Sequence, residues 1–468
     1  MKNRTAIARF FTVLAAVLAA GAISFNTASP DQAPGKKWVK RYDAGGYRDD
    51  PDDYAKAIAV DASGNIYVTG LSSGSSPGRD IATIKYSGAG KQLWAKRYNG
   101  PKNKADAAWA IAVDGSGNIY VTGSSEQSTS DYDFATVKYS GAGKQLWVKR
   151  YNGPGKGWDV ARAIATDSSG NVYVTGESAG SASGKDLATV KYSGAGKELW
   201  VKRYNGPGNK DDYAKAIAVD GSGNIYVAGS SASSSTGQDA TIIKYSGAGK
   251  QLWVKRYNGP GNKDDSADAV VLDGSGNICV TGSSAGSGSG YDYAVIKYSG
   301  AGKQLWVKRY NGPSKGDDHP RAIAVDGSGN VYVTGYAWGG WNWDSGSGSD
   351  YTTIKYSAAG KQLWLKQYNG PGNREDCAQA IALDGSGNVY VTGSSAGADL
   401  EGDYCDYATI KYSSAGVQLW VERYDGPGEW GDSDDGANAI AADKSGNIYV
   451  TGSSIGADTG IDYATIKY

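Results

Sequence analysis

Short apolar runs separated by glycine-rich polar turns recur along nearly the whole chain. Around residues 216–228, Ala-Ile-Ala-Val is followed by Asp-Gly-Ser-Gly-Asn and then by Ile-Tyr-Val-Ala. Runs this short, rich in β-branched and aromatic residues and flanking four turn-forming residues, predict a β-hairpin rather than helices. We call its two strands A and B.

The hairpin returns eight times, at spacings of 53 to 59 residues. The copies of its turn begin at Asp61, Asp114, Asp167, Asp220, Asp273, Asp326, Asp384 and Asp443. A third run, strand C, ends at Tyr86, Tyr139, Tyr192, Tyr245, Tyr298, Tyr356, Tyr412 and Tyr468. A fourth, strand D, carries Trp38, Trp94, Trp147, Trp200, Trp253, Trp306, Trp364 and Trp420. Four strands joined by short turns predict one small antiparallel sheet per repeat.

The order of these strands predicts a closed ring. A four-stranded sheet cannot bury both of its faces alone, and stacked neighbours supply the missing surface in a β-propeller. The chain opens with a lone strand D at 37–42, continues through seven full sets and stops after strands A, B and C at Tyr468. Pairing of the first strand with the last set would complete an eighth blade and remove an exposed seam. Seven blades plus a stray repeat is the alternative.

The predicted boundaries follow from this count. The blades lie near 53–99, 106–152, 159–205, 212–258, 265–311, 318–369, 376–424 and 435–468 with 37–42, in one domain spanning 36–468. Residues 1–23 combine three basic residues with a short apolar run that ends in small residues, which is typical of a secretory signal peptide. Residues 24–35 have the composition of a linker, and an uncleaved membrane anchor is the alternative reading of the leader.

Charge excludes some classes of partner. The chain has 48 basic and 48 acidic residues, so removing Lys2, Arg4 and Arg9 with the leader leaves 45 against 48. A net charge near −3 for the mature chain does not favour a positively charged surface for binding nucleic acid. We therefore expect a secreted or cell-surface protein, with the periplasm as the other compartment and no membrane span in the mature chain.

The repeat resembles a known family. Ala-Ile-Ala-Val-Asp-Gly-Ser-Gly-Asn-Ile-Tyr-Val-Thr-Gly at 110–123, Asp-Tyr-Ala-Thr-Ile-Lys-Tyr at 462–468 and Asn-Gly-Pro-Gly-Asn-Lys-Asp-Asp at 205–212 are similar to the bacterial secreted β-propeller repeat called SBBP. The resemblance covers the chain after about Lys36. The family name implies seven blades, one fewer than the count above, and the resemblance implies little about activity.

A weaker similarity concerns the segment at 247–253, Gly-Ala-Gly-Lys-Gln-Leu-Trp, which resembles the tryptophan-docking motif of quinoprotein-type propellers. That resemblance implies adjacent cysteines and a calcium-binding carboxylate cluster, and no two cysteines are adjacent in this sequence. Packing of the eight repeated tryptophans between blades explains them without a cofactor. We expect no cofactor, apart from a calcium ion considered below.

Three cysteines and one histidine are the remaining reactive side chains. Cys279 replaces the usual tyrosine of strand B, and we expect it to be half-buried. Cys377 and Cys405 precede strands A and C of one blade, so a disulfide is conceivable in an oxidising compartment, although strand B separates them by roughly 9.5 Å. His319 is expected in a loop, solvated, with no catalytic set around it.

Aspartates follow the repeat in two further sets. One precedes strand A: Asp53, Asp106, Asp159, Asp212, Asp265, Asp318, Asp376 and Asp435. The other opens strand C: Asp80, Asp133, Asp186, Asp239, Asp292, Asp350, Asp406 and Asp462. Hydrogen bonding to nearby backbone N–H groups is the expected role of aspartates in turns. Because both sets fall at the same blade end, the alternative is a Ca²⁺ site made by Asp212, Asp239, Asp265, Asp292 and their repeat equivalents.

One face of the ring carries the variable connections. We call it the loop face: the connections from strand D to the next strand A, such as 205–211, and from B to C, such as 233–237. All six tryptophans outside strand D fall there or at adjoining strand ends: Trp109, Trp158, Trp338, Trp341, Trp343 and Trp430. With Asn342 and Asp344, three of them form a cluster suited to sugar rings or to a protein contact. The alternative is that this loop folds over its own blade.

These observations favour a non-catalytic propeller that binds a glycan or an envelope protein through the loop face. A structural or matrix protein without a small ligand is the second hypothesis, and the near-identical blades two to five favour multivalent or structural use. The third is an enzyme, either quinoprotein-like or polysaccharide-cleaving, because abundant aspartates leave a carboxylate pair open.

Overall fold

The computed structural model describes residues 35–45, 52–74, 78–128, 131–339, 348–398, 405–428, 435–457 and 459–468. The predicted signal peptide and nearly all of the predicted linker lie outside these ranges. Every helix or strand element in the described ranges is a β-strand. Within them, no helix has the length and apolar character needed to cross a membrane.

The strands fall into the four predicted types. Strands A of blades one to eight are β2 (Asp53–Val60), β6 (Asp106–Val113), β10 (Val160–Thr166), β14 (Asp212–Val219), β18 (Ala269–Leu272), β22 (Asp318–Val325), β26 (Asp376–Leu383) and β30 (Gly436–Ala442). Strands B are β3 (Ile66–Ser73), β7 (Ile119–Ser128), β11 (Val172–Ala179), β15 (Ile225–Ala232), β19 (Ile278–Ala285), β23 (Val331–Trp338), β27 (Val389–Ala396) and β31 (Ile448–Ile455).

Strands C are β4 (Arg79–Tyr86), β8 (Asp131–Tyr139), β12 (Lys185–Tyr192), β16 (Gln238–Tyr245), β20 (Tyr291–Tyr298), β24 (Ser349–Tyr356), β28 (Cys405–Tyr412) and β32 (Ile461–Lys467). Strands D are β5 (Gln92–Tyr98), β9 (Gln145–Tyr151), β13 (Glu198–Tyr204), β17 (Gln251–Tyr257), β21 (Gln304–Tyr310), β25 (Gln362–Tyr368), β29 (Gln418–Tyr424) and, for blade eight, β1 (Trp38–Tyr42).

Eight four-stranded antiparallel sheets make the ring, and the first strand closes it. The last sheet has the order β1-β32-β31-β30, with Trp38 opposite Lys467 and Tyr42 opposite Tyr463. Strands β2 and β30, from the first and last blades, are also in contact. The predicted eight-bladed propeller and its closure are confirmed, and the seven blades implied by the family name are not found.

Each strand A contacts the strand A of both neighbouring blades, whereas strand D is the opposite edge of every sheet. Strands A therefore surround the propeller axis, and strands D lie on the circumference. Apolar clusters fill the gaps between blades: Leu187 of blade three packs with Ile217 and Val227 of blade four. Because both faces of a blade are covered in this way, strands B and C are buried almost throughout.

The repeated tryptophans pack between blades, as predicted. The indole of Trp200 lies 6.1 Å from the ring of Tyr173 in its own blade and 6.2 Å from Tyr245 in the next. Its Nε1 donates a hydrogen bond to the carbonyl oxygen of Gly247, 3.2 Å away, in the C–D turn of that next blade. Blade packing thus explains why the turn segment around Gly247 repeats from blade to blade.

The turn aspartates have the predicted structural role. Asp220 Oδ1 accepts hydrogen bonds from the backbone N–H groups of Ser222 and Asn224, at 2.9 and 2.8 Å. Its Oδ2 accepts from the Asn224 side chain and from the Tyr226 hydroxyl, at 2.8 and 2.9 Å. Partial burial alone would raise the pKa of Asp220, but these hydrogen bonds outweigh it and hold the pKa below its usual value.

Two expectations about reactive side chains are wrong, and the possible disulfide is not formed. His319 is the second residue of β22 and is half-buried, so it lies in a strand and not in a solvated loop. Cys279 is fully buried, since strand B has neighbours on both faces. Cys377 and Cys405 are free thiols, and Cys377 is already inside β26. They are two residues out of register, Cys377 opposite Ser394 and Cys405 opposite Ala396, with β27 between them.

Candidate ligand-binding face

A β-bulge near the loop face places one residue of strand A out of the ladder. In β14, Ala214 pairs with Gly229 and Ala216 pairs with Ala228, so Lys215 has no partner in strand B. Bulges of this kind re-aim a side chain. Gly229 is required opposite the bulge, because a Cβ there would collide with the carbonyl oxygen of Tyr213.

The bulge recurs in seven blades. In blade five the equivalent residue of the repeat is Asp268, which directly precedes β18. We call these eight residues the axial ring: Lys56, Trp109, Arg162, Lys215, Asp268, Arg321, Gln379 and Asn438. The flanking residues repeat as small apolar side chains, whereas the ring residues differ in charge, size and hydrogen-bonding capacity. Chemical variety on a repeated backbone indicates a surface that contacts something other than its own blades.

Neighbouring ring residues interact across the blade boundaries. Lys215 of blade four forms an ion pair with Asp268 of blade five. The guanidinium of Arg162 lies over the indole of Trp109, 5.2 Å from its ring centre. Asn438 donates from Nδ2 to the carbonyl oxygen of Ala55, 2.8 Å away, across the closing seam. The eight side chains therefore border the axis of the propeller.

The sector of blades five and six contains the only histidine of the chain. His319 Nδ1 lies 2.8 Å from Ser283 Oγ, and its ring packs 5.5 Å from Tyr291 and 5.3 Å from Tyr336. Arg321 donates to the Tyr336 hydroxyl at 3.2 Å. Burial, followed by the positive charge of Arg321, lowers the pKa of His319, so the imidazole is neutral at neutral pH and suited to hydrogen bonding.

Asp268 is the one negative charge of the axial ring. Burial alone would raise its pKa, but the adjacent Lys215 ammonium and then Arg321 lower it. It also accepts a hydrogen bond from Ser266 Oγ at 3.0 Å. The carboxylate is therefore committed to its neighbours, and it contacts Ser266 rather than the histidine, unlike the acid of a catalytic triad.

The predicted tryptophans separate into different environments. Trp109 belongs to the axial ring. Trp338 is half-buried at the end of β23, where its backbone N–H donates to Asp318 Oδ1 at 3.0 Å and its indole packs on Gly316. Trp158 is 48% exposed. The other predicted ligand residues, Trp341, Asn342, Trp343, Asp344 and Trp430, lie outside the described residues.

Trp158 is part of an aromatic surface on the loop face. Its ring centre lies 5.0 Å from that of Tyr132, and the Lys185 ammonium lies 5.6 Å from Trp158 and 5.7 Å from Tyr213. The Tyr132 hydroxyl donates to Glu126 Oε2 at 3.1 Å. We call Tyr132, Trp158, Lys185 and Tyr213 the aromatic patch; it spans blades two to four, and its indole is held in place while nearly half of it faces solvent.

The predicted calcium ligands hold the blade together. Asp212 accepts backbone hydrogen bonds from Gly206 at 2.6 Å and from Ala232 at 2.9 Å, which ties both loops to strand A. Burial raises the pKa of Asp212. Asp265 does the same with Gly259 and Ala285, at 2.7 and 3.1 Å.

The second carboxylate set pairs with arginines of strand D. Asp239 lies 2.9 Å from Arg256, and Asp292 lies 2.6 Å from Arg309. Seven blades have this pair, at 2.6 to 3.1 Å. The Ca²⁺ site stays a prediction. Within the described part of the chain, one acidic triplet, Asp43, Asp53 and Asp462, brings ligand atoms within 4.8 Å of one another.

Blade six departs from the pattern. Gln367 occupies the arginine position of strand D, and no described residue donates a hydrogen bond to Asp350 Oδ1. Burial and then the nearby Asp376 raise the pKa of Asp350 to about 6. This is also the blade whose B–C connection holds the tryptophan cluster.

The axial ring was missed by reasoning from the sequence alone. Its signal is visible there as a variable fourth position in strands A that otherwise repeat closely. Recognising it requires knowing that a bulge turns that position toward the axis, which a strict two-residue alternation does not predict.

A model of the SBBP family, described as a beta-propeller repeat, matches residues 45–76, 110–126, 146–181, 199–235, 305–340, 363–401 and 431–458. The chain is an SBBP β-propeller-repeat protein. The matched segments of this SBBP protein leave out 236–304, which includes the strand B that carries Cys279.

Two curated proteins are similar to this SBBP protein. The regulatory protein FlaEY of Caulobacter vibrioides is 29% identical over 158 residues, covering 31% of this chain and 14% of FlaEY. An uncharacterized WD repeat-containing protein of Acanthamoeba polyphaga mimivirus is 23% identical over 461 residues, covering 81% of this chain and 31% of the viral protein. The chain thus spans less than a third of the length of either relative.

Solved structures match in fold only. The β-propeller domain of the Trilobed protease from Pyrococcus furiosus has 8% identity and a TM-score of 0.42, covering 77% of this chain and 97% of that one. A protein of unknown function from Bacteroides caccae has 13% identity and a TM-score of 0.36, covering 65% and 93%. Similarity at this level carries no argument about activity.

Proposed function

We propose that this SBBP propeller is a non-catalytic, secreted or cell-surface scaffold that binds a glycan through its loop face. The observation that carries the proposal is the exposed indole of Trp158, fixed against Tyr132 and flanked by the Lys185 ammonium. A flat aromatic face held in one orientation stacks on the apolar face of a sugar ring. A neighbouring ammonium group supplies hydrogen bonds to hydroxyl groups or to a sugar carboxylate.

The axial ring supports the same proposal. Arg162 of the axial ring is close enough to Tyr213 of the aromatic patch to interact with it electrostatically. Arg162 is fixed by hydrogen bonds to the Glu177 carboxylate at 3.0 and 3.1 Å, and its guanidinium lies over Trp109. Polar side chains that are already ordered lose little conformational entropy on binding. An extended ligand that stacks on Trp158 would therefore also contact the axial ring. An envelope protein presenting an acidic segment is the other ligand that this surface suits.

The test uses a glycan array and an extract of the producer's envelope, with the mature chain from about residue 29. Trp158→Ala should lose binding, whereas Trp158→Phe should keep a measurable part of it because a flat ring remains. Leu199→Ala, an exposed residue of strand D away from the loop face, is the matched control and should bind normally. Equal binding by Trp158→Ala and the native protein, at equal thermal stability, would exclude the aromatic patch.

The tryptophan cluster is tested in the same experiment. A variant with Trp338, Trp341 and Trp343 changed to Ala separates the blade-six loop from the patch. If that variant alone loses binding, the ligand site is the blade-six loop.

A structural role is the second candidate because of a ring of exposed leucines on the circumference. The second residue of strand D is 44 to 47% exposed in six blades: Leu93, Leu146, Leu199, Leu252, Leu305 and Leu363. Strand D is also an open sheet edge. If the protein is a matrix component, sedimentation should show concentration-dependent self-association, and Leu199→Glu with Leu252→Glu should abolish it. A monomer at all concentrations would reject this candidate.

A further inference from the structure

Seven blades place a tyrosine phenol at one position of the turn face, where the A–B and C–D turns lie. The second residue of strand B donates its hydroxyl to Oδ2 of the turn aspartate at 2.8 to 2.9 Å. A lysine of strand C lies over the ring at 4.9 to 5.4 Å from its centre. Each phenol therefore donates a hydrogen bond to the turn aspartate, and its ring face lies against a lysine ammonium.

Blade five has the same surroundings without the phenol. Cys279 stands at the tyrosine position, so the acceptor Asp273 and the cation Lys297 remain while the ring is missing. Trp306 keeps its partner from the next blade, Tyr356, at 6.2 Å. The tyrosine of its own blade is the partner that Trp306 lacks.

Lys297 occupies part of the vacated position. Its ammonium lies 2.8 Å from Asp273 Oδ2, where a tyrosine hydroxyl donates in the other blades, and both side chains are almost fully buried. It also reaches the carbonyl oxygens of Gly329 at 3.3 Å and Ala358 at 3.4 Å. The equivalent Lys244 of blade four donates to the carbonyl oxygen of Gly300, in the C–D turn of the next blade, at 2.9 Å. A short shift of Lys297 toward Ala358 would restore the common arrangement.

A cavity opens on the turn face beside the Asp273 carboxylate and the Lys297 ammonium, where the tyrosine hydroxyl ends in the other blades. Its volume is about 350 Å³, and its lining includes Asp273, Ser275, Asn277, Lys297, Leu305 and Ala358. Cavities of roughly 150 Å³ are already large enough to take up a benzene ring. The space is therefore sufficient for a single aromatic ring once the ammonium group has moved aside.

We propose that this cavity binds a small monocyclic phenol, which replaces the missing tyrosine side chain. The ligand hydroxyl donates to Asp273 Oδ2, and the Lys297 ammonium returns to Ala358 and lies over the ring face. Phenols are favoured over aliphatic alcohols because only an aromatic face attracts the cation. They are favoured over plain arenes because the hydroxyl satisfies a buried carboxylate that the displaced ammonium has left. The site lies on the face opposite the proposed glycan surface and is independent of it.

The test is a titration of the intact mature protein with 4-methylphenol, which is the tyrosine side chain itself. Calorimetry should show one site, and the melting temperature should rise with ligand concentration. Toluene and 4-methylcyclohexanol should each bind with an affinity at least about ten-fold lower, because each lacks one of the two interactions.

Cys279→Tyr is the decisive variant. Seven blades already fold with tyrosine at this position, so the variant should fold, melt at a higher temperature than the native protein and show no response to 4-methylphenol. Cys279→Ala keeps the space and should still bind, which separates the cavity from the thiol. The proposal is overturned if the native protein does not respond, or if Cys279→Tyr responds equally.

Discussion

The guanidinium of Arg41 lies 2.8 Å from the carboxylate of Asp462, and this ion pair joins the first described strand to the last. Arg41 also donates to Ser454 Oγ at 2.7 Å and to the Tyr424 hydroxyl of blade seven at 3.0 Å. In six other blades, the equivalent arginine of strand D joins strands B and C in the same way. The ring is therefore closed by the same arginine–aspartate ion pair that joins strands C and D in the other blades.

Arg41→Gln should destabilise the propeller by about 1–3 kcal/mol, because the buried Asp462 would lose a charge-assisted hydrogen bond. Urea unfolding followed by tryptophan fluorescence measures the change in the free energy of unfolding. Lys37→Gln is the matched control, since Lys37 makes one exposed hydrogen bond to Asn447 and should change stability by under about 0.5 kcal/mol. Equal effects from the two variants would contradict a special role for the seam pair.

Gln367→Arg should stabilise the protein by about 1–2 kcal/mol. It supplies the arginine that seven blades have, next to an Asp350 carboxylate whose Oδ1 accepts no hydrogen bond from any described residue. Differential scanning calorimetry at pH 7.5 checks the change. Gln362→Arg, at an exposed position of the same strand, adds the same charge without the carboxylate and should have little effect. A melting temperature that falls would show that Asp350 is satisfied in another way.

Gly229→Ala should lower stability by at least about 3 kcal/mol. A methyl group there meets the carbonyl oxygen of Tyr213, and the bulge that sets Lys215 apart cannot form without moving the backbone. Gly221→Ala is the control, because nothing lies near a Cβ at that turn position. Expression level and thermal unfolding distinguish the two variants. A mild effect at Gly229 would mean that the bulge is not rigid.

The melting temperature should be higher at pH 5 than at pH 7.5. Burial raises the pKa of five aspartates from 3.8 to about 6: Asp53, Asp106, Asp318, Asp350 and Asp435. The folded protein therefore binds more protons than the unfolded chain between these values, and stability falls as pH rises through that window.

His319 and the turn aspartates make the opposite contribution to the pH dependence of stability. His319 has a lowered pKa, so its contribution is present above pH 6.5 and is lost as pH falls. The turn aspartates, such as Asp220, also have lowered pKa values, so their contribution is lost below about pH 4. Five carboxyl groups outweigh one imidazole, and stability should pass through a maximum between pH 4 and 6. A melting temperature that rises steadily from pH 5 to 7.5 would contradict the assignment; Gln367→Arg should reduce the difference.

Much of the fold could be predicted from the repeat. Each hairpin turn is a local feature, because the hydrogen bonds of Asp220 involve residues no more than six positions away. The strands on either side and the eightfold count follow from the repetition of this turn. Trp200 could be assigned to blade packing because a large ring on a short outer strand has no other place to be buried. Closure followed from the order of the strands.

For the candidate site, the sequence indicated a face of the ring but not the surroundings of individual side chains. The loop face was identified from variable connections, but the local pattern did not show that Trp158 is exposed while Trp338 packs on Gly316. It also placed His319 in a loop, because the distance from Asp318 to the strand start cannot be read from the chain. Cys377 and Cys405 fall at the same end of one blade in the repeat, but their registers on the intervening strand differ by two residues.

The sequence by itself determined the blade, the number of blades and the closure of the ring, since each depends on short-range pairing repeated along the chain. Only the tertiary structure decided what surrounds the axis and what fills the gaps between blades. Lys215 contacts Asp268 from another blade, and the cavity beside Asp273 and Lys297 is bounded by turns of blade six. Such contacts join residues that are far apart in the chain, 53 positions for Lys215 and Asp268 and 32 for Lys297 and Gly329. No local periodicity specifies a partner across a blade boundary.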